Sequence, residues 1–522
     1  MGPERDIVHD AATKLRVMIV TVLGAGIVFL DTSVANVALP AIQRDLGIST
    51  ALQQWVASGY LLTLSVLLLV GGRLADLFGR RFAFTTGLAA YSVLAVVAGF
   101  APTGLVLVGA RIAQGVAGAL LVPTTLAIIN ATFPSNERGA AIGTWAAWSG
   151  ITTILGPVLG GLVIDNLTWR YAFFISPLVA IVALALARGV PESRDEGAVR
   201  SIDYVGALLV CAALGGIVFA LIQGPVVGWD APEIVWAAVL GTALLPVLIL
   251  YERTREHPIV PLDMFASRNL TVANVATFFV YAGLYGTFFY VSLYAQTALG
   301  ASATIAGILF VPITVLLFFL SPYAGRLNDR YGPRWLMCFG PLGAAAGLVI
   351  ASMTGFGQLW TVLVPGIIVF GIGLGFTVAP VTATAIGSAE ERFSGAASGF
   401  NNAVSRIAGL LAIAVMGVVV VQLWQAGLSS AIDDAPSSAR TALESVSDQA
   451  FVTPDTGGLP EEAASEVIAA TNEASRTSFR SGMLLAALLV ALGGLISAIW
   501  LRNPERTCDT TELACETAPS SQ

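Results

Sequence analysis

Lysine and histidine are almost missing from this chain of 522 residues, and each absence removes a class of function. The only lysine, Lys14, follows Ala-Ala-Thr, so the chain lacks the Gly-Lys-Ser/Thr loop with which ATP-driven pumps hold phosphate. The two histidines, His9 and His257, lie outside the long apolar runs, which excludes zinc-protease spacing and an intramembrane histidine relay. We therefore expect no enzyme, no ATP binding, no metal and no cofactor.

Cysteine and charge are also scarce. Four cysteines are too few for a disulfide scaffold, so Cys211, Cys338, Cys508 and Cys515 are expected to be free thiols. Only 11% of the residues are charged, 56% are hydrophobic and the mean hydropathy is +0.81, values that predict an integral membrane protein embedded in a lipid bilayer. The stretch 425–478 contains nine acidic residues and only two basic ones, Arg440 and Arg476, and so accounts for the whole net charge of −7. We therefore expect no nucleic-acid partner.

Long apolar runs dominate what is present. Runs of roughly 17 to 25 residues predict transmembrane helices. There are fourteen such runs, at about 15–39, 52–72, 82–100, 104–129, 139–164, 171–189, 204–223, 232–251, 271–297, 304–324, 335–353, 359–380, 398–424 and 483–501. If the N-terminus is cytoplasmic, the internal loops and tails hold nineteen of the 26 basic residues and the outer loops hold five, so the positive-inside rule predicts that both termini are cytoplasmic.

A repeat divides the chain into halves. GGRLADLFGRR at 71–81 follows span 2, and a near copy, AGRLNDRYGPR at 324–334, follows span 10. Two six-helix halves with two inserted helices explain this offset. We predict an N-terminal half at 1–203, inserted helices at 204–251, a C-terminal half at 252–501 with an extracellular loop at 425–482, and a cytoplasmic tail at 502–522. That loop either forms surface helices or stays a solvated, flexible segment.

Three ionisable residues lie clearly inside the spans. An ionisable group there costs at least ~2.5–3.5 kcal/mol, so by default it faces a cavity or a partner. Asp31 in span 1 and Arg111 in span 4 lie ~14 Å and ~10 Å from the outer ends of their helices, which are similar depths. Burial favours the neutral form of a carboxyl group, whereas a nearby guanidinium favours the charged form. We therefore expect Asp31 to exchange protons when its surroundings change. The alternative is a permanent ion pair with Arg111 that only positions the two helices. Arg406 in span 13 is expected to snorkel to the cytoplasmic surface.

The same residues carry a family resemblance. LDTSVANVALP (30–40) and LVGARIAQGVAGA (107–119) resemble the first-helix and fourth-helix motifs of the 14-span drug:proton antiporters of the major facilitator superfamily. In that family the acid of the first motif is associated with proton coupling and the arginine of the second with proton transfer. The resemblance assigns these roles here to Asp31 and Arg111, with Gln114 and Gly115 matching the positions that follow.

GRLADLFGRR (72–81) resembles the superfamily's loop between helices 2 and 3. Leu77 stands where a basic residue is usual, which weakens the local charge network. Asp76 is expected to face a helix N-terminus or an arginine and to form a latch that breaks when access switches; alternatively, the basic residues only set topology. The residues assigned to this switch are Gly72, Asp76, Gly79, Arg80 and Arg81, with Asp329 and Arg330 in the second copy.

GTWAAWSGITTILGPVLGG (143–161) in span 5 resembles the motif that marks antiporters rather than symporters. Thr152 replaces one usual glycine. Gly-Pro bends a helix, and glycines four residues apart let a neighbouring helix approach closely. TREHPIVPLDMF (254–265) resembles the loop that opens the second half in this family. The matching residues of span 5 are Gly143, Gly156, Pro157, Gly160 and Gly161.

Aromatic residues concentrate in span 9, whose equivalent lines the central cavity in the superfamily. Aromatic faces suit planar or lipophilic cations, although lipid-facing aromatics are equally ordinary. The expected cavity residues are Gln114, Trp148, Tyr281, Tyr285 and Phe289.

The resemblance implies a major facilitator fold with fourteen transmembrane helices in the bacterial plasma membrane. It further implies a proton-driven antiporter that exports lipophilic or cationic drugs. An exporter dedicated to one metabolite, lipid or endogenous antibiotic is the first alternative, and a non-transporting receptor or scaffold is a remote one, which predicts that Asp31→Asn is tolerated.

Overall fold

Helices account for the regular structure in the part of the chain that the structure describes. The computed structural model describes residues 10–194, 203–255, 262–390, 394–452 and 454–503, and within these ranges there is no β-strand. The predicted all-α fold is confirmed. Its physical cause is the lipid environment, in which a spanning segment must satisfy its backbone N–H and C=O groups internally. Two predicted segments are only partly described, since residues 256–261 of the loop 254–265 and residues 504–522 of the tail 502–522 lie outside the described residues.

Fourteen long helices, some of them interrupted, follow one another through the described part of the chain. The first six are α1 Ala11–Leu46, α2 Thr50–Phe78, α3 Arg80–Gly99, α4 Gly104–Thr132, α5 Ser135–Asn166 and α6 Trp169–Ala187. The next two are α7 Tyr204–Val227 and α8 Pro232–Arg253. The last six are α9 Arg268–Thr297, α10 Ala303–Ile308 continuing as Val311–Tyr331, α11 Pro333–Ser352, α12 Leu359–Gly387, α13 Ser394–Asp434 and α14 Glu461–Trp500.

Thirteen helices of the described residues are long and apolar enough to cross a membrane. The sequence predicts fourteen, and the difference lies in α5. The predicted span 139–164 falls within α5, but the side chains at several positions before Leu155 are not described, so only Leu155–Asn166 counts there as a shorter apolar helix. Every predicted span therefore coincides with a helix.

The two copies of the repeated loop share one glycine for a conformational reason. Gly79 joins α2 to α3 with a φ of +112°, and Gly332 joins α10 to α11 with a φ of +81°. Both glycines occupy the ninth position of their copy, at 71–81 and 324–334. Residues with a Cβ rarely adopt such φ values, so the repeat preserves a tight helix-to-helix turn.

The helices pack as two bundles with a bridging pair. In the first bundle α2 packs on α4 and α1 on α5, and in the second α14 packs on α11 and α9. Helices α7 and α8 cross closely because Gly216 lies against Gly241, where a Cβ on Gly216 would be 3.2 Å from the Cα of its partner. Helix α7 contacts both α2 and α13, whereas α8 is largely exposed.

The bundles meet at the end where α5 finishes and α10 begins, which we call the closed end. The carboxylate of Asp165, at the end of α5, accepts hydrogen bonds from the backbone N–H groups of Ala303 (2.9 Å) and Thr304 (2.8 Å). Nearby, Gln296 Nε2 of α9 donates to the Val37 carbonyl of α1 at 3.0 Å. The closed end is thus held by direct polar contacts between the two halves.

The predicted polar loop 425–482 is largely helical. Helix α13 continues past its predicted end to Asp434, the short helix Ser437–Glu444 follows, and α14 begins at Glu461 rather than near residue 483. Trp424 Nε1 donates to the Val446 carbonyl at 3.0 Å, which folds the segment back over the bundle. Of the two alternatives, the structure therefore shows surface helices.

The segment 446–452 docks onto both halves, and we call it the docking segment. The Thr50 backbone N–H of α2 donates to the Asp448 carbonyl at 3.0 Å, and the Ala450 N–H donates to Thr50 Oγ1 at 2.8 Å. Phe451 is fully buried, with a φ of 70°, and its ring lies 5.5 Å from that of Tyr294 in α9. These contacts fasten the segment across the closed end.

Candidate functional site

Asp31 and Arg111 form a buried ion pair inside the first bundle. Their side chains are 3% and 1% exposed, and Arg111 Nη1 donates to Asp31 Oδ2. The same guanidinium donates from Nη1 to Gln114 Oε1 at 2.9 Å and from Nε to the Val56 carbonyl at 3.3 Å. Since a buried ion pair needs such extra hydrogen bonds to offset its desolvation, the arrangement satisfies both charges.

An aromatic wall surrounds this pair. The Cζ atom of Arg111 lies 4.3 Å from the ring centroid of Tyr60 and 5.9 Å from that of Phe173. The hydroxyl of Tyr91 donates to that of Tyr60 at 3.4 Å, and the hydroxyl of Ser176 donates to Asp31 Oδ1 at 3.5 Å. The rings add cation–π attraction and keep water away, so the charges interact at low dielectric.

Close packing of α2 on α4 brings Arg111 to its partners. A Cβ on Gly115 would overlap the Tyr60 carbonyl and the Thr63 hydroxyl of α2. The missing side chain lets the helix backbones touch one turn beyond Arg111, which places the guanidinium against Val56 and Tyr60. Gly115 therefore has a structural reason for its place in the fourth-helix motif.

The loop between α2 and α3 contains two charge contacts. Asp76 Oδ1 accepts from Nε and Nη2 of Arg80, each at 3.0 Å, so Asp76 faces an arginine of its own loop. Glu192 accepts from the backbone N–H groups of Arg81 (2.9 Å) and Phe82 (3.1 Å) at the start of α3. A carboxylate is stabilised there by the free N–H groups and the helix dipole. Gly72 faces Pro123 of α4, at 3.3 Å from where its Cβ would be.

The second copy of this loop is only partly described. Arg330 is exposed, with its Cζ 5.3 Å from the ring centroid of Tyr331. The side chain of Asp329 lies outside the described residues. The switching role assigned to both copies stays a prediction.

The small residues of α5 face two neighbours. A Cβ on Gly156 would lie 2.9 Å from the Ser33 Cβ of α1, and a Cβ on Gly160 would lie 3.1 Å from Val34 Cγ1. On the other side, a Cβ on Gly161 would lie 2.5 Å from the Cα of Thr304 in α10. The motif of span 5 thus lets α5 pack tightly against α1 and against the other bundle.

Two other matched residues of α5 differ in their surroundings. The carbonyl of Pro157 lies against Gly307 of α10, so the Gly-Pro bend is part of the closed end. Gly143 is exposed, and a Cβ there would meet no atom within 4 Å. Gly143 therefore has no close-packing role in this conformation.

The expected cavity residues differ in their burial and their neighbours. Tyr281 and Tyr285 are half-buried on one face of α9, with ring centroids 6.4 Å apart, and Trp148 of α5 is 56% exposed. Phe289 is 1% exposed and packs on Tyr290 in this conformation, and its assignment to the cavity stays a prediction. Gln114 is fully buried and accepts a hydrogen bond from Arg111, which places it in the ion-pair site, and its assignment to the cavity stays a prediction.

Arg406 does not snorkel. Its side chain is only 6% exposed, and its Cζ lies 5.8 Å from the ring centroid of Phe29 in the other bundle. The expectation failed because depth along a helix gives no information on the direction in which a side chain points. Three aromatic residues that surround the ion pair were also not predicted from the sequence, namely Tyr60, Tyr91 and Phe173.

Comparisons with known proteins agree with this architecture. A family model described as Major Facilitator Superfamily matches residues 21–413. The chain is 35% identical over 407 residues to the puromycin resistance protein pur8 of Streptomyces alboniger, covering 77% of this chain and 81% of that protein. It is 32% identical over 457 residues to the multidrug resistance protein Stp of Mycobacterium tuberculosis (strain CDC 1551 / Oshkosh), covering 86% of this chain and 84% of that protein.

The fold is similar to that of a solved transporter. The crystal structure of a bacterial homolog to the human lysosomal transporter Spinster, in an inward-facing and unoccupied conformation, superposes with a TM-score of 0.66 at 16% sequence identity, covering 94% of this chain and 98% of that one. The predicted major facilitator fold is confirmed. With a family model that matches well over half of its residues, the chain belongs to the Major Facilitator Superfamily of multi-pass membrane transporters.

Proposed function

We propose that this transporter is a proton-coupled antiporter that exports lipophilic or cationic drugs and other toxic compounds across the bacterial plasma membrane. The observation that carries the proposal is the buried contact between Asp31 and Arg111. An acid held in a dry site by one guanidinium is a group whose charge depends on its surroundings, and this is what proton coupling requires. The names of the two relatives support export of antibiotics and drugs.

The geometry suggests how one proton can change the conformation. When Asp31 is protonated its negative charge disappears, and its hold on Arg111 weakens because the attraction between opposite charges is lost. Arg111 then remains bonded to Gln114 and the Val56 carbonyl and faces the ring of Tyr60. Packing of α1 against α4 is therefore sensitive to the protonation of Asp31.

We further propose that the closed end faces the outside and that both termini are cytoplasmic. The excess of basic residues in the loops of the opposite end supports this orientation. Protons entering from outside would then reach Asp31 only after the closed end opens. The membrane potential adds ~2.3 kcal/mol per charge per 100 mV to the driving force.

An exporter dedicated to one antibiotic is the second candidate. It is supported by the name of the relative pur8, a puromycin resistance protein, whereas the name of Stp supports broad specificity. The two candidates share the proton mechanism. They differ in whether chemically unrelated compounds compete for export.

Efflux from proteoliposomes under an imposed pH gradient tests the proposal. We expect ethidium efflux by the native chain to be driven by the gradient and to be lost in Asp31→Asn. Asp45→Asn is the matched control, because Asp45 pairs with Arg170 at 3.1 Å but is half exposed at the helix end. Equal efflux from Asp31→Asn and the native chain would remove Asp31 from the mechanism. If ethidium is not transported, puromycin is the second probe, and gradient-independent efflux of either compound would refute proton coupling.

A further inference from the structure

No acidic side chain in the described ranges pairs with the buried cation Arg406. It lies twelve residues after Ser394, the start of α13, which is ~18 Å along the helix axis at 1.5 Å per residue. Its side chain is 6% exposed, and among the described residues its guanidinium makes neither an ion pair nor a hydrogen bond. Arginine carries five N–H donors and does not lose its proton, so an unsatisfied arginine at this depth is costly.

The guanidinium of Arg406 lies between the two bundles. It faces the ring of Phe29 in α1, at 5.8 Å from Cζ to the ring centroid. Phe29 precedes Asp31 by two positions, and two positions on a helix are about 200° apart. Phe29 therefore points away from the ion pair and toward the second bundle.

Two tyrosines complete the surroundings. Tyr285 of α9 packs against Gly409, one turn beyond Arg406, since a Cβ on Gly409 would lie 2.6 Å from its ring carbons. Tyr281 lies one turn earlier on α9, and both tyrosines are half-buried. Phe29, Tyr281, Tyr285 and Arg406 thus lie close together where the halves meet, and we call this cluster the Arg406 chamber.

The charge balance of the chamber is positive. Asp31 and Arg111 neutralise each other inside the first bundle. The other described acids of the first bundle, such as Asp45, Asp76 and Asp165, lie at helix ends and pair or cap there. In the chamber, the uncompensated guanidinium would therefore favour an acidic compound over a cationic one of the same size.

We propose that Arg406 binds an anionic or strongly hydrogen-bond-accepting group, such as a carboxylate or phenolate, on a planar aromatic export substrate. This inference rests on the proposed export function and specifies, among its lipophilic substrates, aromatic compounds that carry an acidic or strongly accepting group. The planar fork of arginine matches a carboxylate through two parallel hydrogen bonds. The rings of Phe29, Tyr281 and Tyr285 supply faces for an aromatic body.

Three anthracene probes of matched size test the charge preference. Anthracene carboxylate, anthracenemethanol and (aminomethyl)anthracene share one ring system and differ in charge. Their binding to the full chain in nanodiscs is followed by fluorescence titration at equilibrium, with no pH gradient. We expect the carboxylate to bind at least ~10-fold more tightly than the amine, as charge-assisted hydrogen bonds allow.

Variants assign that preference to one residue. Arg406→Gln should abolish the preference for the carboxylate and leave the affinity for anthracenemethanol nearly unchanged. Arg406→Lys keeps the charge and should retain much of the preference, which also guards against a folding defect in the glutamine variant. Arg44→Gln is the control, because Arg44 is exposed in the last turn of α1. This variant should leave the affinities for all three probes unchanged.

The outcomes are distinct. Each of three results would overturn the proposal. The carboxylate preference could persist in Arg406→Gln, that variant could lose affinity for all three probes equally, or the native chain could bind the amine most tightly. Because binding is measured without a gradient, loss of proton coupling in the efflux test leaves this result intact. Gradient-driven efflux combined with no charge preference would refute only the role of Arg406.

Discussion

Arg111 of α4 donates a hydrogen bond to Asp31 of α1 across 80 positions of the chain, and both side chains are almost completely buried. The contact joins two helices that the motifs alone placed only at similar depth. Ser176 of α6 approaches the second oxygen of Asp31 at 3.5 Å, so three helices of the first bundle meet at one carboxylate.

A double-mutant cycle should show strong coupling between the two charges. Asp31→Asn or Arg111→Gln alone leaves an uncompensated buried charge, and each should lower the free energy of unfolding by about 3–5 kcal/mol. The double variant removes both charges and should lose less than the sum. Unfolding of the purified protein, followed by tryptophan fluorescence, gives the four values.

The exposed pair Asp45–Arg170 provides the comparison for that cycle. Its side chains are 51% and 33% exposed, so its coupling should be at most ~1 kcal/mol. Strictly additive effects at Asp31 and Arg111 would contradict the buried contact.

Gly115 should be intolerant of any side chain. In Gly115→Val the new atoms would overlap the Tyr60 carbonyl and Thr63 of α2. Overpacking of this kind costs about 1–3 kcal/mol, and here it should also displace Arg111. The measurement is the thermal midpoint of the purified variant beside that of Gly109→Val, since a Cβ on Gly109 would meet no atom within 4 Å. Equal midpoints would show that α2 and α4 do not touch there.

The closed end should open more readily when α5 is held away from α10. Gly161→Leu places a bulky side chain against Thr304, so it should raise the solvent accessibility of position 296, where the part-buried Gln296 bonds to Val37. The readout is maleimide labelling of Gln296→Cys in purified protein, above the labelling of native cysteines. Gly143→Leu, at an open position, should leave the rate unchanged. A rate that does not respond to Gly161→Leu would refute the packing argument.

The docking segment should loosen when Thr50 loses its hydroxyl. Thr50→Val preserves shape but removes the acceptor for the Ala450 N–H, a loss of about 1–3 kcal/mol for an unsatisfied buried donor. Hydrogen exchange at residues 446–452 should accelerate. Thr85→Val is the control, because Thr85 bonds only within its own helix. Unchanged exchange in Thr50→Val would mean that the segment is held without this bond.

The sequence predicted the helices better than their contacts. Every predicted span coincides with a helix, because twenty apolar residues in lipid have almost no other way to satisfy their backbone. The predicted end of α13 is too early and the predicted start of α14 is too late. The extra turns lie outside the apolar runs, and in α14 they are rich in the helix formers Ala and Glu, so they carry no membrane signal.

The site illustrates the same limit at single residues. Gln114 lies three positions after Arg111, a spacing that places both on one helix face, so its contact with Arg111 was readable from the sequence. The inward direction of Arg406 and the ring of Tyr60 over Arg111 were not, because both depend on how one helix is rotated against another.

Helix α7 touches one helix from each bundle, α2 and α13, while its companion α8 is largely exposed. A rotation of one bundle against the other therefore cannot leave both contacts of α7 intact. The inserted pair α7 and α8 must move with one bundle and slide past the other. The two moving units then differ in size, because one contains eight helices and the other six. Distances from a label at the exposed Trp236 of α8 to each bundle would identify the half to which the pair belongs.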